Sequence, residues 1–224
     1  WYVKQHETKW RETVDREVLS VRKSVGFCDV STLGKIDIQG KDAQKFIDKI
    51  YCNAFAKLPV GKVRYGLMLR EDGLVMDDGT TARMSENHFI MTTTTVNADS
   101  VYRHLEFCHQ CLWPEMEVHF ISTTDASAQI SIAGPNSRKV LSKIVDPEFD
   151  ISNENFPFMA CKEISICCGI IARLFRISFS GELAYELSFP TQYASSFIDH
   201  LMEIGKEENI IPYGTEALGV MRIE

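Results

Sequence analysis

The chain has 224 residues, of which 45% are hydrophobic and 25% are charged, and its formal net charge is −7 at pH 7. This length suits one large domain or two small ones, and the composition is that of an ordinary globular protein. The negative charge argues against nucleic acid or an anionic membrane as a partner. No apolar run reaches the length of a membrane span, and the first residues do not form a signal peptide, so we expect a cytoplasmic protein.

Apolar periodicity, with Gly, Pro and capping residues as boundaries, predicts a series of helices and strands. In chain order they are a helix over 12–25, a strand over 35–39 with a helix over 43–50, strands over 64–69 and 89–95, a helix over 99–111, strands over 118–122 and 129–133, a helix over 137–144, strands over 170–179 and 183–189, and a helix over 194–204. The absence of an initiator Met and a last stretch that ends inside a helical pattern lead us to expect that both ends are truncated.

Two of these strand–helix pairs repeat each other. The sequence I-D-I-Q-G-K-D-A-Q-K-F-I-D-K-I aligns without a gap with I-S-I-A-G-P-N-S-R-K-V-L-S-K-I. In each copy Gly provides a sharp exit from the strand, and Asp42 or Asn136 can cap the helix that follows. The pattern predicts a mixed α/β (α+β) fold of duplicated ferredoxin-like units, with antiparallel sheets flanked by helices. We expect one half over 1–145 and a second over 146–224, with 146–158 as the link.

The run D-G-L-V-M-D-D-G-T-T, residues 72–81, contains the first candidate site. Asp72-Gly73 predicts a hairpin turn between apolar stretches, and a second turn-like D-G follows at Asp78-Gly79. If the stretch is extended, Asp77 and Asp78 face opposite sides of the strand. An inward carboxylate is costly unless something binds it, so the run indicates either a proton-handling or amine-binding site or an exposed acidic turn.

Two further segments are candidates for a polar pocket. The first is Thr92 to Thr95 at the end of an apolar strand, for which a plain β-branched strand end is the alternative. The second is S-G-E-L-A-Y-E-L, in which Glu182 and Glu186 share a strand face and Tyr185 lies on the other. Glu186 is bounded by apolar residues, so either it is buried with a partner or it is exposed.

Other chemistries find little support in the sequence. There is no Gly-rich phosphate loop and no legible Ser-His-Asp or Cys-His arrangement, and we predict no metal site. We interpret Cys28, Cys52, Cys161 and Cys167-Cys168 as reduced core thiols. Cys108-His-Gln-Cys111 lacks the second pair that a zinc site needs, and it closes a helix instead of opening one.

At these segments the chain resembles the aminomethyltransferase (T-protein) family of glycine cleavage. The resemblance runs in the family's order over nearly the whole chain, and it is greatest to the C-terminal, folate-binding part of the sarcosine oxidase α subunit. The matching pieces are residues 27–34, the hairpin that ends in Asp77-Asp78, the segment 133–135, the strand S-G-E-x-x-Y-E-L, and 218–224.

The resemblance implies roles for individual residues. Asp78 matches the catalytic aspartate near N10 of tetrahydrofolate, and Glu186 matches the glutamate that binds the amino and ring N–H groups of the pterin. Further positions that the resemblance places at the folate are Thr92 and Thr93 beside the pterin, Leu33 and Tyr65 in the apolar wall, and Thr80 and Tyr185 as adjacent candidates. Strand alternation then predicts that Asp78 points into the pocket and Asp77 away from it.

The resemblance also implies an activity. A flavin carried elsewhere would oxidise sarcosine, and this domain would capture the methylene carbon as 5,10-methylene-tetrahydrofolate, with release of glycine, in one-carbon metabolism. Flavin and NAD are expected only on other segments or subunits of a heterotetrameric oxidoreductase, since the chain has no motif for either. The alternatives are an aminomethyltransferase of glycine cleavage, a dimethylglycine oxidase domain, and a non-catalytic folate-binding scaffold. Leu218 stands where glycine-cleavage enzymes carry an Arg, and the family's C-terminal barrel is missing.

Overall fold

The computed structural model describes residues 1–224 and contains two compact units. The discontinuous unit comprises Trp1–Val30, Ala128–Phe158 and Glu163–Glu224, and the inserted unit comprises Ser31–Ser127 and Met159–Lys162. This division differs from the expected one at residues 145 and 146. The N-terminal segment belongs with the second half of the chain because its strand pairs there, with Gly26 opposite Ala133.

Six helices and eleven strands make up the two units. In chain order they are α1 (Trp10–Lys23), β1 (Gly26–Asp29), β2 (Gly34–Gln39), α2 (Ala43–Ile50), β3 (Lys62–Leu69), β4 (Val75–Ser85), β5 (His88–Thr93), α3 (Ala98–Phe107), β6 (His119–Ser122), β7 (Ser127–Ala133), α4 (Ser137–Leu141), β8 (Cys161–Ile166), β9 (Ile170–Phe175), β10 (Ala184–Pro190), α5 (Ala194–Ile204), β11 (Ile211–Pro212) and α6 (Thr215–Ile223). None of the helices is long and apolar enough to cross a bilayer.

The inserted unit is built on a five-stranded sheet of order β3-β4-β5-β2-β6, in which every pair is antiparallel. One face of this sheet carries the apolar core of the unit. Its central side chains, each at most 1% exposed, are Phe46, Met68, Phe89, Met91 and Leu105. Full burial of each stabilises the fold by about 1.5–3 kcal/mol. Residues that alternate with these on the strands therefore lie on the opposite face.

The discontinuous unit contains a six-stranded sheet of order β11-β1-β7-β10-β9-β8. Strand β1 pairs antiparallel with β7 and parallel with β11, and β10 pairs antiparallel with β9. Helices α1 and α6 cover this sheet through an apolar cluster that includes Val14, Val21, Ala184, Tyr213 and Ala217.

The predicted duplication is confirmed by the topology. The elements β2-α2-β3-β4-β5-α3-β6 and β7-α4-β8-β9-β10-α5-β11 follow the same sequence of types. Their sheet orders also correspond, except that β1 is inserted between β7 and β11. Gly40 and Gly134 occupy the equivalent strand exits at φ 141° and 125°, a region that side chains disfavour.

Several predicted boundaries shift by a few residues. The helix predicted over 99–111 ends as an α-helix at Phe107 and continues as a short π-helix over Cys108–Leu112. Residues 146–158 contain no helix or strand, but they belong to the discontinuous unit and are not the predicted link between two halves. The short strands β1, β8 and β11 were not predicted by periodicity, because they are brief or carry polar residues.

The interpretation of the cysteines is only partly correct. All seven are free, and Cys28 and Cys161 are buried as predicted. Cys52 is exposed in the bend that begins two residues after the end of α2. Cys167 is half-buried and Cys168 is exposed, because these two residues lie in the turn between β8 and β9.

Candidate functional site

The hairpin predicted at Asp72-Gly73 is present and joins β3 to β4. Gly73 adopts φ 82°, and its N–H donates to the carbonyl of Arg70 at 2.9 Å. The second D-G is not a turn, because Asp78 and Gly79 lie inside the continuous strand β4. Glycine is required there for another reason: a Cβ at Gly79 would lie 2.0 Å from the carbonyl oxygen of Thr92.

Asp77 and Asp78 face opposite sides of β4, but Asp77 is the buried member. Asp77 is 3% exposed and lies on the core face, in register with Met68. Its Oδ1 accepts hydrogen bonds from Thr94 Oγ1 at 2.5 Å and Asn97 Nδ2 at 3.1 Å, and its Oδ2 accepts from Thr94 N at 3.2 Å. The buried carboxylate therefore ties β4 to the start of α3, and its burial does not indicate a ligand.

Asp78 lies on the other face of the sheet and is half-buried. Its Oδ2 accepts a hydrogen bond of 2.7 Å from the Tyr65 hydroxyl. Tyr65 is 50% exposed, so the pair lies at the surface of the inserted unit. A carboxylate offers about four lone-pair positions, and Tyr65 uses one of them. The structure thus holds Asp78 in a fixed orientation with acceptor capacity remaining.

Thr80 and Thr92 join Asp78 on this face, whereas Thr93 does not. The Thr92 hydroxyl accepts from Thr80 N at 3.0 Å, shares a 2.9 Å bond with Thr80 Oγ1, and donates to Thr80 O at 3.1 Å. Thr92 thereby bridges β4 and β5 just beyond the end of their regular pairing at Thr81 and Met91. Thr93 is 2% exposed on the core face, and its hydroxyl donates to Thr94 O at 3.1 Å. Only the backbone of Thr93 can contribute to the face of Asp78.

A buried lysine lies beside these residues and was not singled out from the sequence. Lys35 is in register with Thr92 and is only 2% exposed. Its Nζ donates to the carbonyls of Ser31 at 2.7 Å and Leu33 at 3.0 Å. Leu33 itself is half-buried. The alternation K-I-D-I-Q could have placed Lys35 on the polar face, because Ile36 and Ile38 are core residues.

In the discontinuous unit, Glu186 and Tyr185 point to opposite faces of β10, as alternation predicts. Glu186 is half-buried, and its Oε2 accepts a 2.5 Å hydrogen bond from Gln129 Nε2 on β7. Tyr185 is fully buried, and its hydroxyl accepts from Arg138 Nε at 2.8 Å. The Tyr185 side chain therefore packs in the interior and does not join Glu186. Gln129 is a further site residue, which the alternation of Q-I-S-I-A did not indicate.

The surroundings of Glu186 are apolar and acidic. Burial raises the pKa of the Cys28 thiol to about 12, and the negative charges of Asp29, Glu17 and Glu186 raise it further. Burial likewise raises the pKa of Tyr213, and Glu186 again contributes. Such a region favours a ligand that donates N–H groups over one that carries negative charge.

These geometries define a candidate site in each unit. The inserted unit presents a half-exposed aspartate beside hydroxyl groups, which can accept a proton or a hydrogen bond. The discontinuous unit presents a half-buried glutamate, which can accept two parallel N–H bonds. No group of three or more His, Cys, Asp or Glu side chains is placed to hold a metal ion.

Comparison with known proteins decides the family. The model of the GCVT N-terminal domain matches residues 1–224. The chain belongs to the GCVT N-terminal domain family. Sarcosine oxidase subunit alpha of Rhizobium meliloti (strain 1021) is 59% identical to this GCVT domain over 225 residues, which are 100% of the chain and 23% of that protein. The corresponding subunit of Corynebacterium sp. (strain U-96) is 45% identical over 224 residues and again has 23% of its length covered.

More distant members of the family are aminomethyltransferases. The enzyme of Chloroherpeton thalassium (strain ATCC 35110 / GB-78) is 31% identical over 206 residues, which are 92% of this GCVT domain and 54% of that protein. This GCVT domain therefore spans about a quarter of the sarcosine oxidase subunits and about half of the aminomethyltransferase.

Solved structures confirm the fold of the GCVT domain. The glycine cleavage system aminomethyltransferase T of Bartonella henselae matches with a TM-score of 0.80 at 24% identity, over 94% of this chain and 53% of that chain. A chain of the heterotetrameric sarcosine oxidase of Corynebacterium sp. U-96, in complex with pyrrole 2-carboxylate, matches with a TM-score of 0.63 at 12% identity, over 91% of this chain and 96% of that chain. At these identities the likeness shows the fold alone.

Proposed function

We propose that this GCVT domain binds tetrahydrofolate and carries out one-carbon transfer as part of a sarcosine oxidase α subunit. The 59% identity to such a subunit over the whole chain supports this branch of the family. Tetrahydrofolate, when bound, supplies the nucleophilic amine that captures the methylene carbon of oxidised sarcosine as 5,10-methylene-tetrahydrofolate. Glycine is then released, and oxidation by flavin and NAD belongs to other segments or subunits.

The observation that carries the proposal is the half-exposed Asp78, which lies on the sheet face opposite the apolar core. Its orientation is held by the neutral donor Tyr65, with 2.7 Å between the hydroxyl and Oδ2. Asp78 accepts from a hydroxyl and is not paired with a cation, so proton acceptance there does not require a salt bridge to break. These properties fit a group that must accept a hydrogen bond from an amine.

In the proposed reaction Asp78 acts as the general base. When an amine becomes bonded to a carbon electrophile, it acquires a positive charge and must lose a proton. A carboxylate within hydrogen-bond reach can orient that amine and accept the proton, which typically contributes about 10²- to 10⁴-fold to the rate. Tyr65 keeps one oxygen of Asp78 occupied, so the other remains for the amine.

Glu186 is proposed to bind the amino and ring N–H groups of the pterin. A carboxylate suits that edge because it accepts two parallel, charge-assisted hydrogen bonds, each contributing about 1.5–3 kcal/mol. Gln129 fixes one carboxylate oxygen at 2.5 Å and so presents the group in one orientation. Leu33 and Tyr65 are proposed as apolar wall, Thr80 as an adjacent acceptor, and Thr92 as the bridge that supports it.

The whole protein is proposed to be a cytoplasmic oxidoreductase of several different subunits. The related structure from Corynebacterium is a heterotetrameric sarcosine oxidase. The alternative function is that of an aminomethyltransferase. One aminomethyltransferase is 31% identical to this chain. Leu218 argues against glycine cleavage, since it stands where the resembling glycine-cleavage enzymes carry an Arg. Its apolar side chain is half-buried and packs against the core of the discontinuous unit.

Equilibrium binding tests the proposal. Titration of the full-length protein with tetrahydrofolate should show saturable binding that Glu186→Gln weakens about 10- to 100-fold, or about 1.4–2.8 kcal/mol. Glu163→Gln is a matched control, because Glu163 is an exposed glutamate on β8 of the same sheet. Equal losses in both variants, or no binding by the unmodified protein, would refute the proposal.

A further inference from the structure

The turn between β8 and β9 is Cys167-Cys168-Gly169, in which two adjacent cysteines adopt a disfavoured conformation. Cys167 and Cys168 have φ 49° and 62°, both left-handed, and Gly169 N–H donates to the carbonyl of Ile166 at 3.2 Å. A turn with positive φ at both central residues favours Asn-Gly at those positions, because residues other than Gly, Asn and Asp are strained at positive φ. Strain of this kind concentrates at functional positions.

The backbone of this turn is anchored on both sides. Cys167 N–H donates to the carbonyl of Ile144 at 2.9 Å, and Cys168 N–H donates to Asp146 Oδ1 at 3.0 Å. Asp146 also accepts a hydrogen bond from the Ser165 hydroxyl. These contacts hold the turn through its backbone and do not involve either sulfur. Cys168 is exposed and Cys167 is half-buried, so the thiols are accessible from the end of the hairpin.

A disulfide between these two residues is disfavoured by covalent geometry. The Cα atoms of adjacent residues are about 3.8 Å apart across a trans peptide. Disulfides usually join Cα atoms about 4.4–6.8 Å apart, with an S–S bond of about 2.05 Å. A third atom that bonds to both sulfurs can bridge them without a direct S–S bond. The pair is thus suited to remain a dithiol and to act as a bidentate ligand.

We propose that Cys167 and Cys168 form a dithiol site for trivalent, thiophilic arsenicals. In the binding step an arsenoxide condenses with the two thiols. Two As–S bonds form, the two S–H bonds and the As–O bonds break, and the oxygen leaves with both protons as water. Arsenic stays trivalent, so no oxidant or reductant is needed.

Protonated thiols are suited to this condensation. Burial raises the pKa of the Cys167 thiol, and the negative charges of Asp146 and Cys168 raise it further. A thiol of this kind is a poor nucleophile towards alkylating agents, because the thiolate is the reactive form. Cys167 should therefore react slowly with alkylating agents.

The other cysteines do not offer an equivalent pair. Cys28, Cys108 and Cys161 are buried, whereas Cys52 and Cys111 are exposed but are not adjacent in sequence. In particular, the buried sulfur of Cys108 leaves Cys111 without an accessible partner in the C-x-x-C segment. A single thiol releases an arsenical to excess competing monothiol, whereas a chelating pair retains it.

Phenylarsine oxide and peptide mapping of the full-length protein test the site. The tryptic peptide over 163–173 follows Lys162, ends at Arg173, and contains both cysteines and no others. We expect it to retain one arsenical in excess monothiol and to release it to a small dithiol. No uptake by this peptide, or equal release to monothiol and dithiol, would overturn the assignment.

Variants separate the site from general thiol reactivity. Cys168→Ser should lower retention at least 10-fold, and Cys167→Asn/Cys168→Gly should abolish it while supplying residues that the turn favours. Cys111→Ser should leave retention unchanged. Retention that survives the double variant, or that depends on Cys111, would contradict the proposal. Because tetrahydrofolate binding is measured separately, failure here leaves the folate proposal intact.

Discussion

Matched Asp→Asn substitutions at two adjacent positions of β4 should have opposite consequences. Asp77 is a buried structural acceptor, and Asp78 is half-exposed and proposed as catalytic. Asp77→Asn keeps one oxygen, which can replace Oδ1 towards Thr94 Oγ1 and Asn97 Nδ2. The new NH₂ group then faces the Thr94 N–H donor, which loses its acceptor.

The loss of stability in Asp77→Asn follows from the hydrogen bonds that the substitution removes. A hydrogen bond to a charged acceptor contributes about 1.5–3 kcal/mol, and a buried donor left unsatisfied costs about 1–3 kcal/mol. These contributions overlap, so we expect Asp77→Asn to lower the free energy of unfolding by about 2–4 kcal/mol. For a chain of this size that corresponds to a melting temperature lower by roughly 4–16 °C. Asp78→Asn should stay within about 0.5 kcal/mol, because its amide oxygen still accepts from Tyr65 near the surface.

Thermal unfolding of the two variants, with hydrogen exchange at the Thr94 amide, measures both effects. Exchange at Thr94 should accelerate in Asp77→Asn and remain unchanged in Asp78→Asn. Asp99→Asn is a control, because Asp99 lies on the exposed surface of α3 and pairs only with Arg103 one turn along. If Asp78→Asn destabilised the protein as much as Asp77→Asn, the division of roles between the two carboxylates would be refuted.

Three further predictions concern other parts of the fold. Gly79→Ala should destabilise the protein by about 1–3 kcal/mol in urea unfolding, because a Cβ there meets a backbone carbonyl at 2.0 Å; Gly219→Ala, in open space on α6, should not destabilise it. Cys167→Asn/Cys168→Gly should raise the free energy of unfolding by about 1 kcal/mol, since it relieves two positive φ angles, and an unchanged or lower stability would count against strain at this turn. Burial lowers the pKa of His104 from 6.5, so the unfolded state binds a proton first and stability should fall as pH drops through 6.5 towards the folded pKa; His104→Gln should flatten this dependence, and a stability that rises over the same window would contradict it.

Much of the fold is predictable because local signals agree with it. The bounds of α2 and α5 follow from amphipathic spacing, and they match the structure without adjustment. The predicted capping by Asp42 and Asn136 is wrong, because neither side chain bonds to its helix; the Asp42 carboxylate accepts from Glu117 N–H instead. The duplication is visible because Gly40 and Gly134 need the same positive φ in both copies. Strand β1 escapes periodicity because four residues are too few to show a period.

The site is predictable only as far as alternation within one strand. Alternation shows that Asp77 and Asp78 lie on opposite faces, but the identity of the core face depends on the register with Met68. The D-G pair at Asp78-Gly79 resembles a turn, although the glycine is required by the approach of Thr92 from the neighbouring strand. Such tertiary requirements leave no local signal in the sequence.

The fate of the methylene carbon in the assembled enzyme tests the central proposal most directly. With sarcosine and tetrahydrofolate, the unmodified protein should form 5,10-methylene-tetrahydrofolate. Asp78→Asn should oxidise sarcosine at the same rate, bind tetrahydrofolate, and yield mainly free formaldehyde, because the uncaptured imine is hydrolysed. The measurement is the ratio of methylene-tetrahydrofolate to formaldehyde, expected to fall about 10²-fold or more. An unchanged ratio in Asp78→Asn would contradict the account.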